Sequence, residues 1–436
     1  MAQDQSQTQN MRKVALTSLA GTSIEWYDFF LYGTAAAVIF PKAFFPQDLP
    51  PLVLLIISFS TFAVGFIARP LGGLVFGHFG DRIGRKRTLV VALMMMGAAT
   101  TLIGFLPTYA SIGIAAPLIL VLLRFVQGLA IGGQWGGAML LVTESAPAEK
   151  RGWYGAYAQA GAPVGVILAN LAFIGVSSSM TDEAFMDWGW RLPFIASIVL
   201  IGISMYVQLK LEDTEAFKAL QANQAQGDTG ASVAASPVIE AIRRYPKRIM
   251  LAAGAFLSVQ VTFYILIAFI IAYGVTAPEL ALSRDTMLTA VLIAAAIMIP
   301  SQFYFSGLSD RLGRKQIYRW GAILTGLWGF ALFPLINTGE PLMIVIAVTL
   351  GLTFLGMQYG PQAAYFTELF TTEVRYSGAS LGYQIGAILG GALAPTIAVL
   401  LWKELGIFYV SVYILVAAVL TLWSLSALEE TKGRAL

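Results

Sequence analysis

The sequence predicts an all-α membrane protein of twelve transmembrane helices, duplicated as six and six. Hydrophobic residues make up 57% of the 436-residue chain and charged residues 12%, where a soluble domain carries about 25% charged. Twelve apolar runs are long enough to cross roughly 30 Å of hydrocarbon, which takes about 20 helical residues. Two short basic segments, Gly77-His-Phe-Gly-Asp81-Arg82-Ile-Gly84-Arg85-Lys86 and Ser306-Gly-Leu-Ser-Asp310-Arg311-Leu-Gly313-Arg314-Lys315, repeat each other half the chain apart.

Taken in order, residues 1–11 are polar and Gln-rich with no apolar run behind a basic flank, so they are expected as a disordered tail and not a cleaved signal. The first set of spans, within 12–211, lies at about 15–40, 52–77, 88–106, 115–143, 153–176 and 191–211. Residues 212–248 shift to Glu, Asp, Gln, Ala and Ser and cannot cross a bilayer; they read as a linker. Inside it, Ser236-Pro237-Val-Ile-Glu-Ala-Ile-Arg243-Arg244 reads as a short amphipathic helix with Ser at the cap and Pro at its first position, lying on anionic headgroups. The second set, within 249–428, lies at about 249–275, 286–307, 317–336, 341–366, 376–401 and 407–427, and 429–436 form a short tail.

The net charge of +3 says little, but its placement says more. With the N-terminus inside, the outer loops hold only Lys42, Arg191, Arg284 and Lys403 of the 27 Lys and Arg, and the spans hold Arg69 and Arg124. This satisfies the positive-inside rule and places both termini in the cytoplasm. Without cysteine there is no disulfide or thiolate metal site. The single histidine, His78, falls in a loop, so neither a metal nor a catalytic residue is expected. No phosphate loop or hydrolase motif is present to suggest ATP-driven or enzymatic chemistry.

The duplication extends past the basic segments. At one constant offset Gly132, Gln134, Trp135 and Gly136 fall on Gly356, Gln358, Tyr359 and Gly360, and Thr143, Glu144, Glu149 and Arg151 on Thr367, Glu368, Glu373 and Arg375. One residue further on, Gln159 and Gly161 match Gln384 and Gly386. Parallel six-span repeats are one architecture of membrane transporters.

Charges in a bilayer cost at least about 2.5 to 3.5 kcal/mol on insertion scales, so those present point to function. Four lie deep in spans: Glu25, Asp28, Arg69 and Arg124. Glu25 and Asp28 share a helical face with Tyr32 one turn on, and two desolvated carboxylates suit proton binding and release. The first span of the second half, from Gln260 to Tyr264 onward, carries no acid, which confines proton chemistry to the first half. Arg124 stands near the midplane with Gln127 and either Gln134 or Trp135 on its face, in a run whose glycines allow close helix approach. It is placed to fork onto a substrate carboxylate, to neutralise Asp28, or to do each in turn. Arg69 reads as nearer the cytoplasmic end of its span. Gln134, Trp135, Gln159, Gln260, Tyr264, Gln358, Tyr359, Gln362 and Gln384 form a polar and aromatic set expected to line a cavity or to satisfy one another.

The repeated segments read as a cytoplasmic gate of Gly77, Asp81, Arg82, Gly84, Arg85, Lys86, Glu144 and Arg151 with Asp310, Arg311, Arg314, Glu368 and Arg375. Asp81 and Asp310 can face the N-terminus of a neighbouring helix. Arg85 with Glu144 and Arg314 with Glu368 are the expected partners.

The Gly-x-x-x-Asp-Arg-x-Gly-Arg-Lys motif, echoed after the eighth span, resembles the signature of the major facilitator superfamily, over about residues 12–430. Glu25-Trp26-Tyr27-Asp28-Phe29, Arg69-Pro70-Leu-Gly72-Gly73, the Gly132 to Gly137 stretch and Trp188-Gly189-Trp190-Arg191-Leu-Pro193-Phe194 are similar to the metabolite:proton symporters, and more narrowly to shikimate-type transporters. The resemblance implies a major facilitator fold: two six-helix bundles of pseudo-twofold symmetry around a cavity open alternately to either side. It implies proton-coupled uptake of a small organic acid across a bacterial inner membrane, by a monomer in the lipid bilayer, with no cofactor and no nucleic-acid partner. A betaine or proline symporter and a proton-antiporting exporter are the alternatives. Two departures stand out: Gln134 where the family reads Glu, and Ser306 where the second motif would begin with Gly.

Overall fold

The computed structural model describes residues 2–83, 85–132, 135–210, 237–371 and 374–434, with the side chains of 1–10, 77–89, 133–138, 141, 200, 204, 206–239, 376 and those beyond 434 outside the description. The described residues are helical with short connections. The first half comprises α1 (Ala2–Val38), α2 (Pro51–Ile83), α3 (Arg85–Phe105), α4 (Ala115–Gly132), α5 (Trp135–Ser145), α6 (Arg151–Ser177) and α7 (Arg191–Lys210). After the short α8 (Pro237–Arg244) come α9 (Pro246–Thr276), α10 (Arg284–Leu312), α11 (Arg314–Ile336), α12 (Pro341–Glu368), α13 (Ser377–Leu405) and α14 (Phe408–Ala427).

With α4 counted together with α5, each half has six long helices among the described residues. Nine of the described helices qualify as spans by length and apolarity alone; α1 carries Glu25 and Asp28, and Val90–Phe105 is the described apolar stretch of α3. Between the halves α6 packs on α10, and α13 on α2. Exchanging the halves converts one contact into the other, as expected of a duplicated chain.

Three boundaries differ from expectation. Residues 2–11, expected as a disordered tail, are the first turns of α1; no Gly or Pro precedes Gly21 to break the helix. The second basic segment is not an open loop, because α10 runs to Leu312 and α11 begins at Arg314. Gly313 alone makes the turn at φ +112°, a conformation that favours glycine. The tail expected at 429–436 folds back, as described to residue 434, with Thr431 fully buried.

Candidate functional site

Glycines set the centre of the first half. A Cβ on Gly72 would stand 1.9 Å from the Leu129 carbonyl oxygen, and one on Gly132 1.9 Å from that of Arg69. Only hydrogen permits such a crossing of α2 and α4. It brings two cations together: the guanidinium carbons of Arg69 and Arg124 lie 4.4 and 4.2 Å from the centre of the Phe29 ring. Arg69 also covers Phe66 at 4.5 Å, and Arg124 covers Tyr32 at 4.2 Å and Phe62 at 4.7 Å. Both arginines are buried, yet Nε and Nη2 of Arg69 and Nη2 of Arg124 have no hydrogen-bond partner among the described residues. The crossing brings Arg69, expected nearer the cytoplasmic end of its span, against the same Phe29 ring as Arg124.

Glu25 and Asp28 are buried on α1, and among the described residues neither forms an ion pair. Ser197 of α7 and Thr100 of α3 face Asp28. Their hydroxyls donate to helical carbonyls instead, Ser197 to Pro193 at 3.4 Å and Thr100 to Met96 at 2.9 Å. Among the described residues both Asp28 oxygens are without a partner. Arg124 does not neutralise Asp28 here; its Nη1 donates to Gln127 Oε1 at 3.1 Å, and Gln127 Nε2 donates to Thr100 Oγ1 at 2.7 Å. Tyr32 donates to Thr61 at 2.8 Å.

The second half contributes Tyr264, whose ring lies 5.2 Å from Phe66 and 5.6 Å from Phe62 and whose hydroxyl has no partner among the described residues. α13 passes close to it: a Cβ on Gly391 would stand 2.7 Å from the Tyr264 ring. Both α9 and α13 widen into π turns here, at Ile265–Phe269 and Ala387–Ala392, a local irregularity frequent at functional sites. A cavity of about 10 Å³ lies between Trp26, Gln260, Phe263, Tyr264, Tyr359 and Tyr383, room for about one water molecule.

The expected polar set divides. Gln260 and Tyr359 line this cavity, and Gln159 crosses between halves to the Tyr359 carbonyl at 3.0 Å and Gln362 at 3.4 Å. Gln384 is buried with Oε1 unpartnered among the described residues. Gln358 does not join them: its amide donates to Thr325 of α11 at 2.9 Å, inside the second half. Gln134 and the Trp135 side chain lie outside the described residues, as do the side chains of Gly77, Asp81, Arg82, Arg85 and Lys86, and Gly84 entirely. The sequence reading passed over Arg69, Thr100 and Ser197 as site residues; the arginine was visible as an intramembrane charge, the hydroxyls were not distinguishable from helix-packing residues.

At the end of the bundle that carries the basic segments, charges cross between the halves. Arg151 Nη1 bonds Glu368 at 3.0 Å and Arg375 Nη1 bonds Glu144 at 3.3 Å. Arg314 reaches Glu368 at 3.3 Å, as expected, and also Asp310. Glu144, expected opposite Arg85, has Arg375 as its described partner. Asp310 accepts from the backbone N–H groups of Gly152 and Trp153, both at 2.9 Å, so it caps the start of α6 as the dipole argument anticipated. Arg311 is exposed and contributes only its carbonyl, to Lys432.

The folded tail completes this end. The Glu430 carboxylate accepts from the N–H groups of Arg314 at 2.9 Å and Lys315 at 3.0 Å, the first residues of α11. Thr431 donates to Glu368 at 2.6 Å, and the Arg434 carbonyl accepts from Arg151 at 3.0 Å. At the opposite end Arg284 bonds Asp182 at 2.9 Å and Ser177 donates to Asp285 at 3.2 Å, again across the halves. Contacts between halves thus exist at both ends, with the buried arginines and carboxylates between them.

Comparison with known proteins agrees with this architecture. The model of the Major Facilitator Superfamily matches residues 21–381. An inner membrane metabolite transport protein of Escherichia coli (strain K12) is 41% identical, covering all of this chain and 98% of the relative. The shikimate transporter of the same organism is 41% identical, over 89% of this chain and 87% of the relative. Among solved structures, the proton:xylose symporter XylE bound to 6-bromo-6-deoxy-D-glucose superposes with a TM-score of 0.76 at 17% identity, covering 98% of both chains, a likeness of fold.

Proposed function

The chain belongs to the major facilitator superfamily, and from that premise we propose that it takes up a small organic acid together with protons across a bacterial inner membrane. Both termini then face the cytoplasm, and the two ends of the bundle open in alternation. The observation that carries this reading is the presence in the buried first half of guanidinium donors on Arg69 and Arg124 and a carboxylate on Asp28 that have no hydrogen-bond partner among the described residues. Arg69 and Arg124 supply the anion site, since a guanidinium fork matches a carboxylate, and Asp28 with Glu25 supplies the proton site.

The aromatic faces that could cage a quaternary ammonium already hold guanidinium groups, which favours an acid over a betaine. Tyr264, Gln260 and Tyr359 bring the second half to the same ligand, so that binding is felt by both bundles. The likeness to the shikimate transporter supports a compact acid such as shikimate. The experiment is uptake of shikimate, 2-oxoglutarate and succinate into proteoliposomes under an inside-alkaline pH gradient. Gradient-driven accumulation of one of them supports symport, and gradient-driven expulsion means an exporter.

A further inference from the structure

Arg124 and Asp28 do not touch, yet hydrogen-bonded side chains lead from Arg124 to Thr100, which stands next to Asp28 without bonding it in this structure. Arg124 Nη1 donates to Gln127 Oε1, and Gln127 Nε2 donates to Thr100 Oγ1. Thr100 faces Asp28 while donating its only proton to the Met96 carbonyl. Each of the four side chains is at most 1% exposed.

We infer that Gln127 and Thr100 are positioning residues that couple anion binding at Arg124 to proton binding at Asp28; the inference rests on the symport reading above. The Gln127 amide can stand only one way round, because a flip would turn its NH2 onto the guanidinium, donor against donor. The Thr100 oxygen is therefore occupied as an acceptor, and its single O–H has two acceptors to choose between, the Met96 carbonyl and the Asp28 carboxylate. With Asp28 ionised, the O–H turns to the carboxylate, a charge-assisted bond, and the aligned dipoles of Thr100 and Gln127 end on the positive Arg124. An anion on Arg124 cancels the charge that orients this chain, so Asp28 takes up a proton as the anion binds, and the O–H returns to Met96. By linkage, protonation of Asp28 equally favours the anion.

Other groups near Asp28 do not compete for this role. Between Thr88 and Phe105, α3 carries no titratable side chain, nor does α7 between Leu192 and Met205; α4 has only Arg124, and α6 beyond Arg151 only Tyr154 and Tyr157. On its own helix Tyr27 is the next residue, but its hydroxyl donates to the Pro193 carbonyl at 3.0 Å, and Glu25 lies one turn away.

The test compares wild type with Thr100→Val, which removes the hydroxyl, and Thr100→Ser, which restores it. Proteoliposomes are assayed with shikimate, 2-oxoglutarate and succinate. Thr100→Val is expected to lower gradient-driven accumulation about tenfold, the size of a typical coupling energy, and to flatten the pH profile of KM. Its counterflow exchange, which needs no net proton movement, stays measurable, and Thr100→Ser behaves as wild type. If Thr100→Val does not purify folded, Thr100→Ala is read in its place. Wild-type accumulation and pH profile in Thr100→Val overturn the relay, as does an equal loss of exchange and accumulation in a folded variant. If the wild type itself neither binds nor concentrates any of the three acids, the symport reading fails and the relay with it.

Discussion

Arg151 of the first half and Glu368 of the second form a buried ion pair, 3.0 Å apart, between positions that the duplication does not itself equate. The duplication relates Arg151 to Arg375 and Glu144 to Glu368, and each arginine reaches across to the other half's glutamate. Even the backbone contacts repeat: Arg151 Nε donates to the Thr143 carbonyl at 3.3 Å and Arg375 Nε to that of Thr367 at 3.0 Å. The two pairs differ in burial, and burial decides their weight.

Glu368 is fully buried and serves both Arg151 and Arg314. Glu368→Gln leaves the buried Arg151 without its counter-charge and Arg314 with Asp310 alone, which costs about 3–5 kcal/mol and favours opening at this end. The native chain has no cysteine, so a Ser306→Cys probe, at a fully buried position beside the network, reports opening cleanly. Alkylation of that cysteine is expected to accelerate strongly on adding Glu368→Gln. An unchanged rate contradicts the assignment.

Glu144, by contrast, has a half-exposed side chain, where solvent screening holds a pair to about 0–1 kcal/mol. Glu144→Gln is expected to change the same alkylation rate only slightly. A response as large as that of Glu368→Gln would show that symmetry, not burial, governs the two pairs.

Glu430 acts as a capping carboxylate for α11, and losing such a cap costs about 0.5–2 kcal/mol. Glu430→Ala is expected to lower the thermal midpoint of purified protein modestly and to speed alkylation of Ser306→Cys. Removing 429–436 also takes away the bonds of Thr431 to Glu368 and of Arg434 to Arg151, and so has the larger effect on both measurements.

Nε and Nη2 of Arg69, beside Phe29, have no hydrogen-bond partner among the described residues. Arg69→Lys keeps the charge but loses the planar fork; acid affinity is expected to fall about tenfold, read by the shift in thermal midpoint across a titration of the bound acid. Wild-type affinity in Arg69→Lys would remove it from the anion site.

The spans, the duplication and the intramembrane charges were legible because each is written in composition or in a repeat. The crossing of the Arg151 and Arg375 pairs was not, because an offset equates positions without saying which half a long side chain reaches. The shared Phe29 face of Arg69 and Arg124 was not legible, because counting along one span gives a residue's depth while the glycine crossing with α4 sets its neighbours. Gln358 was expected to line a cavity or to pair within the polar set, but on α12 it meets Thr325, a partner outside that set and local to its own bundle. The tail was read only as a short end because 429–436 carry no periodic signal; what fixes it is specific bonding, of Thr431 to Glu368, of the Arg434 carbonyl to Arg151 and of Glu430 to the start of α11.

The central claim is that Asp28 carries the coupled proton, and Asp28→Asn tests it most directly because the side chain keeps its shape and loses its charge. In proteoliposomes under an inside-alkaline gradient, wild type is expected to concentrate the transported acid, and Asp28→Asn to exchange or equilibrate it without accumulation. Accumulation against its gradient by Asp28→Asn would contradict the account.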